Sequence, residues 1–63
     1  MPMIYTDVNS TAIASIGYDP TTGELEVTFT NGASYTYTVD PVTYENFLAA
    51  DSKGSFYARH IRG

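Results

Sequence analysis

The chain has 63 residues, carries a net charge of −4 and contains no cysteine. A chain this short folds as one domain around a small core, which excludes a second domain and leaves little room for an active-site cavity. The lack of cysteine excludes disulfides, thiol chemistry and thiolate zinc sites. The single histidine, His60, leaves too few nitrogen ligands for a metal centre, so we expect neither a metal nor a cofactor.

The charges are unevenly distributed along the sequence. All seven acidic residues precede residue 52, whereas the three basic residues, Lys53, Arg59 and Arg62, follow it together with His60. An acidic protein is a poor general ligand for nucleic acid, which is bound through Lys and Arg. A basic C-terminal segment can still form a local anion site, or it can simply complement the dipole of a terminal helix. Both interpretations stay open at this point.

The N-terminal segment lacks the features of a targeting sequence. Residues 1–7 have neither the basic start nor the apolar run of a signal peptide. No stretch approaches the roughly 18 consecutive apolar residues that a transmembrane helix needs. Together with the absence of cysteine, this predicts a cytoplasmic protein that does not associate with a membrane.

The first half of the chain is predicted to form β-strands. Residues 1–10 show no hydrophobic period and are interpreted either as a loose lead-in or as a short edge segment. From residue 12 onward apolar and polar residues alternate, interrupted by residues 19–23, whose Asp-Pro-Thr-Thr-Gly sequence is typical of a hairpin turn. Two antiparallel strands are therefore predicted, with these residues on their apolar faces: Ala12, Ala14, Ile16, Tyr18, Leu25, Val27 and Phe29.

A third strand follows the Asn-Gly pair, and the length of this loop decides which face its tyrosines occupy. A two-residue loop would place the apolar residues of the two strands on opposite faces, because a slip of one residue reverses every side chain. A three-residue loop that ends at Gly32, in the left-handed conformation, instead places Tyr35 beside Val27 and Tyr37 beside Leu25. We therefore predict the three-residue loop.

Two short helices are predicted to cover the apolar face of the sheet. Asp40 is a suitable N-cap and Pro41 suits the first position of a helix over about residues 41–50. Ser52 is a suitable cap for a second helix that ends near Arg62. The prediction is an α+β fold, an antiparallel three-stranded β-meander with two short C-terminal helices packed on one face. The helical residues expected to face the sheet are Tyr44, Phe47 and Leu48, and Phe56 or Tyr57 with Ile61.

Several short motifs follow one another in a specific order. They are Ser10, Ile16-Gly17-Tyr18-Asp19, Leu25-x-Val27-x-Phe29, Gly32, Tyr35-Thr36-Tyr37, Val39, Pro41, Ala50-x-Ser52-Lys53-Gly54, Phe56 and Ile61-Arg62. In this combination the chain resembles the KTSC domain family over about residues 8–62. That family is named after the C-terminal region of some lysyl-tRNA synthetases and also occurs as small stand-alone proteins of bacteria and their phages. The resemblance implies RNA as a partner through this association.

The sequence offers no convincing catalytic arrangement, so we expect a protein that is not an enzyme. His60 has no evident partner and is expected to be exposed near a helix end. Glu24 and Glu26 share a polar strand face and are interpreted as solubilising charges. Tyr35 and Tyr37 form either a stacking platform for bases or part of the core with their hydroxyls at its rim. The strand register favours the core.

The start of the second helix is the candidate ligand site. Free N–H groups at a helix start attract anions, Gly54 allows close approach to the backbone, and Lys53 adds charge. The alternative is that Ser52 only caps the helix and Gly54 only permits the turn. The predicted ligand-binding residues are Ser52, Lys53, Gly54, Arg59, His60 and Arg62.

Two functions are consistent with these observations. The first is a small non-enzymatic binding module for RNA or a nucleotide-like anion, which uses the C-terminal basic patch. The second is a protein-interaction or self-assembling module, with a host protein or a second copy of the chain as its partner. The two differ in their expected response to salt, since only phosphate binding weakens steeply as salt rises.

Overall fold

The computed structural model describes residues 3–62 and shows an antiparallel meander followed by helices. The strands are β1 Ile4–Asp7, β2 Ile13–Asp19, β3 Glu24–Phe29 and β4 Ser34–Thr38, in the spatial order β1-β2-β3-β4. The helical elements are α1 Pro41–Ala49, α2 Lys53–Phe56 and, directly continuing α2, a π-helical turn Tyr57–Ile61. The predicted α+β class, the meander and the C-terminal helices are confirmed. The sheet within the described residues has one strand more than predicted.

The additional strand is β1, so the first residues form an edge segment rather than a loose lead-in. Tyr5 of β1 pairs with Gly17 of β2. The tyrosine ring lies against this glycine, since a methyl group on Gly17 would be only 2.6 Å from Cε1 of Tyr5. The Tyr5 hydroxyl then donates a hydrogen bond of 2.8 Å to Oε1 of Glu26 on β3. An aromatic ring that covers a glycine in this way fixes the edge strand to its neighbours.

Strand β2 contains a β-bulge that strict alternation does not predict. The register between β2 and β3 shifts between Ile13 and Ser15. As a result Ile13 and Ile16 are both fully buried, whereas Ala12 and Ala14 are exposed. The prediction that the two alanines face the core is therefore wrong, because an extra residue in a strand reverses the alternation beyond it. Burying isoleucine instead of alanine removes more apolar surface from water, which favours the bulge.

The hairpin between β3 and β4 has the predicted register. Tyr35 is opposite Val27, and Tyr37 is opposite Leu25. The N–H of Phe29 donates to the carbonyl of Ala33 across a three-residue loop, in which Gly32 has a φ of 93°. Only glycine adopts this left-handed conformation without strain. The apolar sets of the two strands therefore lie on the same face of the sheet.

Helix α1 begins as the sequence predicts and supplies the centre of the core. The Asp40 carboxylate accepts a hydrogen bond of 2.8 Å from the backbone N–H of Thr43. Hydrogen bonding from Thr43 also lowers the pKa of Asp40. Phe47 of α1 is fully buried and stacks on Phe56 of α2, with ring centroids 5.5 Å apart. No helix within residues 3–62 is long and apolar enough to cross a membrane. The buried core consists of Ile13, Ile16, Tyr18, Leu25, Val27, Phe47 and Tyr57.

Candidate functional site

A pocket of about 420 Å³ lies where the edge strand β4 meets the π-helical turn. Its lining combines aromatic rings from the sheet with one aromatic ring and one cation from the C-terminal segment. None of the lining residues is acidic, although the chain as a whole carries a net charge of −4. The lining residues are Phe29, Tyr35, Tyr37, Tyr57 and Arg62.

Tyr57 is the centre of the aromatic cluster. Its ring meets Phe29 and Tyr37 edge to face, with centroid distances of 5.2 Å and 5.7 Å. Phe29 in turn meets Tyr35 edge to face at 5.7 Å. Such edge-to-face pairs are favourable geometries for aromatic rings. The walls of the pocket are therefore held in place by contacts with one another.

The two tyrosines of β4 differ in burial. Tyr37 is half-buried, packs against the core and shares a hydrogen bond with the Tyr57 hydroxyl, as the core interpretation predicts. Tyr35 is 53% exposed, so the prediction that its ring lies in the core is wrong. The reason is that β4 is the outer strand of the sheet, and the helices leave the ring of Tyr35 uncovered.

Two phenol hydroxyls face each other at the pocket. The hydroxyls of Tyr37 and Tyr57 are hydrogen-bonded, and either one can be the donor. Burial, followed by this hydrogen bond, raises the pKa of Tyr57 to about 12, so its phenol is neutral at physiological pH. The hydrogen bond between the two hydroxyls engages the proton of only one of them, so the proton of the other hydroxyl is available to an acceptor atom of a ligand.

The π-helical turn brings Arg62 to the pocket. The backbone N–H of Arg62 donates a hydrogen bond of 2.8 Å to the carbonyl of Tyr57, five residues earlier. In a regular α-helix the fifth residue would lie about 140° around the axis, away from Tyr57. The wider π-helical turn places the two residues more nearly on one side. The guanidinium charge accordingly opposes the rise in the pKa of Tyr57.

Of the predicted ligand-binding residues, only Arg62 lines this pocket. The ammonium group of Lys53 donates a hydrogen bond of 2.7 Å to the carbonyl of Ala50, just beyond the end of α1. The Ser52 hydroxyl accepts a hydrogen bond of 3.3 Å from the N–H of Ser55. Both residues therefore contact helix ends, and for Ser52 this is the capping contact of the alternative interpretation.

The remaining predicted residues are placed differently from Arg62. Gly54 is half-buried, and a methyl group added there would meet only the side chain of Ala12, at 4.0 Å. Arg59 and His60 are exposed on the π-helical turn, with the imidazole 4.6 Å from the ring of Phe56. The predicted basic patch is thus divided between a helix cap, an exposed turn and the pocket. Residues 3–62 hold no group of three His, Cys, Asp or Glu side chains suited to a metal ion.

Sequence reasoning did not identify Phe29 and Tyr57 as pocket residues. The alternation of apolar residues predicts Phe29 in the core, and the helical pattern leaves Tyr57 as one of two candidates for an inward position. The available signal was an aromatic residue five positions before an arginine. That spacing brings two side chains together only in a π-helical turn, which hydrophobic periodicity does not indicate.

Comparison with known proteins agrees with the motif order. The family model of the KTSC domain matches residues 9–63. The chain belongs to the KTSC domain family. A crystal structure of a KTSC domain protein from Yersinia pestis superposes with a TM-score of 0.88 at 40% identity, covering 97% of this chain and 87% of that one.

Two sequence relatives have comparable length. A protein of Tsukamurella paurometabola is 46% identical over 50 residues, which cover 78% of this KTSC domain and 75% of the relative. An uncharacterized protein of Stutzerimonas stutzeri is 41% identical over 51 residues, which cover 79% of this chain and 72% of the relative. The family model and the structural match assign the family and the fold.

Proposed function

We propose that this KTSC domain is a cytoplasmic binding module without catalytic activity, which recognises RNA or a nucleotide-like anion. The observation that carries the proposal is the pocket in which exposed Tyr35 and cationic Arg62 line the same cavity. Nucleotides combine a flat base with an anionic phosphate. Tyrosine rings stack on bases, and arginine binds phosphate through paired N–H groups. The lining of the pocket matches both parts of such a ligand.

The positive charge of Arg62 favours anionic ligands over the cationic ligands that aromatic pockets also bind. Three tyrosines and a phenylalanine around a cavity would also suit a quaternary ammonium group, which is attracted to the faces of aromatic rings. Arg62 in the lining repels such a cation, and no acidic residue lines the pocket to offset it. A ligand with an anionic group is therefore favoured.

Two matched arginine substitutions test the proposal. Arg62→Gln removes the cation that lines the pocket, whereas Arg59→Gln removes an equal charge from an exposed position on the same turn. We expect the parent and Arg59→Gln to bind a short mixed-sequence RNA at low salt, and Arg62→Gln to lose most of that affinity. Isothermal titration calorimetry at two salt concentrations measures both effects, since binding to phosphate must weaken as salt rises.

Two outcomes would contradict this function. One is a parent protein that binds no RNA and no nucleotide even at low salt. The other is equal affinity of the Arg62→Gln and Arg59→Gln proteins, which would assign binding to general charge rather than to the pocket. Both variants are expected to fold, because an exposed surface charge contributes little to stability. Circular dichroism of each variant checks this.

A protein-interaction or self-assembling module is the second candidate, and the outer strand β1 favours it. Ile4 and Tyr5 are 59% and 62% exposed on this edge of the sheet. An edge strand with exposed apolar residues can pair with a strand of a host protein or of a second copy. Native mass spectrometry of protein purified from its own host separates the candidates. A protein partner or a dimer that persists at high salt, without bound nucleotide, would favour the second.

A further inference from the structure

Building on the proposed function, we infer that the pocket binds one unpaired nucleotide, with its base against Tyr35 and its phosphate at Arg62. The same unit occurs in a free mononucleotide and in a single-stranded RNA. In a double helix, by contrast, the base is paired and stacked, and it enters a pocket only if it is flipped out, at an energetic cost that a single stacking contact does not repay. The inference therefore excludes double-stranded nucleic acid as the ligand of this site.

The size of the pocket suits a single unit. Its volume of about 420 Å³ lies at the lower end of the range of roughly 300–1,000 Å³ found for small-molecule sites. The sheet residues Phe29 and Tyr37 form one side, and Tyr57 makes an edge-to-face contact with each of them. A flat group that lies between the sheet and the C-terminal segment would contact these rings.

Tyr35 is placed to stack on the inserted base. Its ring is 53% exposed, yet its position is defined by the edge-to-face contact with Phe29. A tyrosine that is ordered before binding loses little side-chain entropy when it contacts a ligand. Base stacking tolerates any base, because every base has a π-face. The hydroxyl pair of Tyr37 and Tyr57 adds one donor for a polar atom of the base.

The charges limit how much phosphate backbone can be held. Arg62 is the one cation among the residues that line the pocket, and the chain carries a net charge of −4. Each phosphate that a protein neutralises on a single strand contributes about −0.7 to the slope of log affinity against log salt. Contact with one phosphate therefore predicts a slope of about −0.7. A protein that follows the backbone over several phosphates would show a slope several times steeper.

The experiment measures the binding of four probes to the 63-residue chain. They are uridine, uridine monophosphate, an oligouridylate of about eight nucleotides and an RNA duplex long enough to stay paired. We expect the monophosphate and the oligonucleotide to bind, uridine to bind more weakly because it lacks the phosphate, and the duplex not to compete. Chemical-shift changes of the amides around Tyr35 and Arg62, measured by NMR, report occupancy of this pocket.

Two substitutions of Tyr35 test the stacking contact. Tyr35→Ser removes the ring and is expected to weaken oligonucleotide binding roughly five- to 150-fold, the range for loss of one stacked base. Tyr35→Phe keeps the ring and should bind like the parent. Because Tyr35 is exposed, neither variant is expected to unfold the domain, and circular dichroism checks this.

The failures of the inference and of the proposed function can be told apart. Equal binding of duplex and single strand, a salt slope steeper than about −3, or full affinity of Tyr35→Ser would overturn the single-nucleotide inference while RNA binding remained. If none of the four probes binds at low salt, both the single-nucleotide inference and the proposed function are overturned. Exclusion of the duplex, a slope of about −0.7 and parent-like binding by Tyr35→Phe together support the inference.

Discussion

Because the Tyr5 ring packs over Gly17, we predict that Gly17→Ala lowers the stability of the parent protein but not that of a protein without the ring. The backbone of Gly17 does not lie in the left-handed region, so the glycine is required there by the space that the Tyr5 ring and, at 3.0 Å from an added methyl group, the Met3 sulfur occupy. A methyl group at Gly17 would lie 2.6 Å and 2.8 Å from two carbon atoms of the ring. These distances are too short for carbon atoms in contact, so the ring of Tyr5 must move. Its hydrogen bond to Glu26 is then lost or distorted.

The size of the effect follows from the two opposing contributions of alanine. Crowding of a packed site by an added methyl group costs about 1–3 kcal/mol, so Gly17→Ala should destabilise the parent protein. Replacing glycine by alanine at a compatible position gains about 0.4–1 kcal/mol, because it restricts the unfolded chain. In a Tyr5→Ser protein the crowding ring is absent, and only the flexible end of the Met3 side chain, whose sulfur is 3.0 Å from the added methyl group, has to move. Gly17→Ala should therefore be neutral or stabilising in that background.

Urea denaturation of the parent, both single variants and the double variant measures this sign change. Thermal melts give a second reading, since about 1 kcal/mol shifts the melting temperature of a domain this small by roughly 4–8 °C. A double-mutant cycle isolates the coupling between the two positions. The reasoning is refuted if Gly17→Ala destabilises both backgrounds by the same amount, because the cost would then not arise from the ring.

Two further predictions concern the turns. Gly32→Val should lower the free energy of unfolding by about 1–3 kcal/mol through backbone strain alone, since nothing lies within 4 Å of an added Cβ. Gly32→Asn should cost less, because asparagine adopts the left-handed conformation more readily. Equal stability of the two variants in urea unfolding would contradict the left-handed loop. Hydrogen bonds from Thr21 lower the pKa of Asp19 in the folded protein. The Asp19 carboxylate therefore stabilises the fold at pH values above its pKa in the unfolded chain, which is about 4. This stabilisation is lost as the pH falls through the lower pKa of the folded state. Asp19→Asn should therefore melt below the parent at pH 7 but approach it at about pH 2, and an unchanged difference between the two pH values would count against this role.

Local chemistry and the sorting of apolar residues made much of the fold predictable. Asp40 caps α1 through a side chain only three residues from its partner, so the signal is contained in a short stretch of sequence. The β3–β4 register was predictable because only one register places Tyr37 beside Leu25 on the same face. In both cases neighbouring residues determine the structure.

The features that the sequence did not predict depend on distant contacts. Strand β1 has little apolar period and is fixed by Tyr5 reaching across β2 to Glu26. Because of the bulge in β2, Ile13 lies in the core and Ala14 does not. This outcome depends on the total apolar area that is buried and not on the alternation of apolar residues. Tyr35 is exposed because the C-terminal helices leave this end of the outer strand β4 uncovered, and their placement depends on the whole fold. The same holds for the candidate site, whose walls come from three separate elements.

The strand order also bears on how the molecule folds. Each strand pairs with the next one along the chain, so every hairpin closes only a short loop, and closing short loops is fast and costs little entropy. The aromatic pocket instead joins Phe29 and Tyr35 to Tyr57 and Arg62, far apart along the chain. We expect the sheet to assemble first and the C-terminal segment to dock last, completing the pocket in the final step. An occupant of the pocket would then slow local opening of that segment, which hydrogen exchange of its amides would detect before any change in global unfolding.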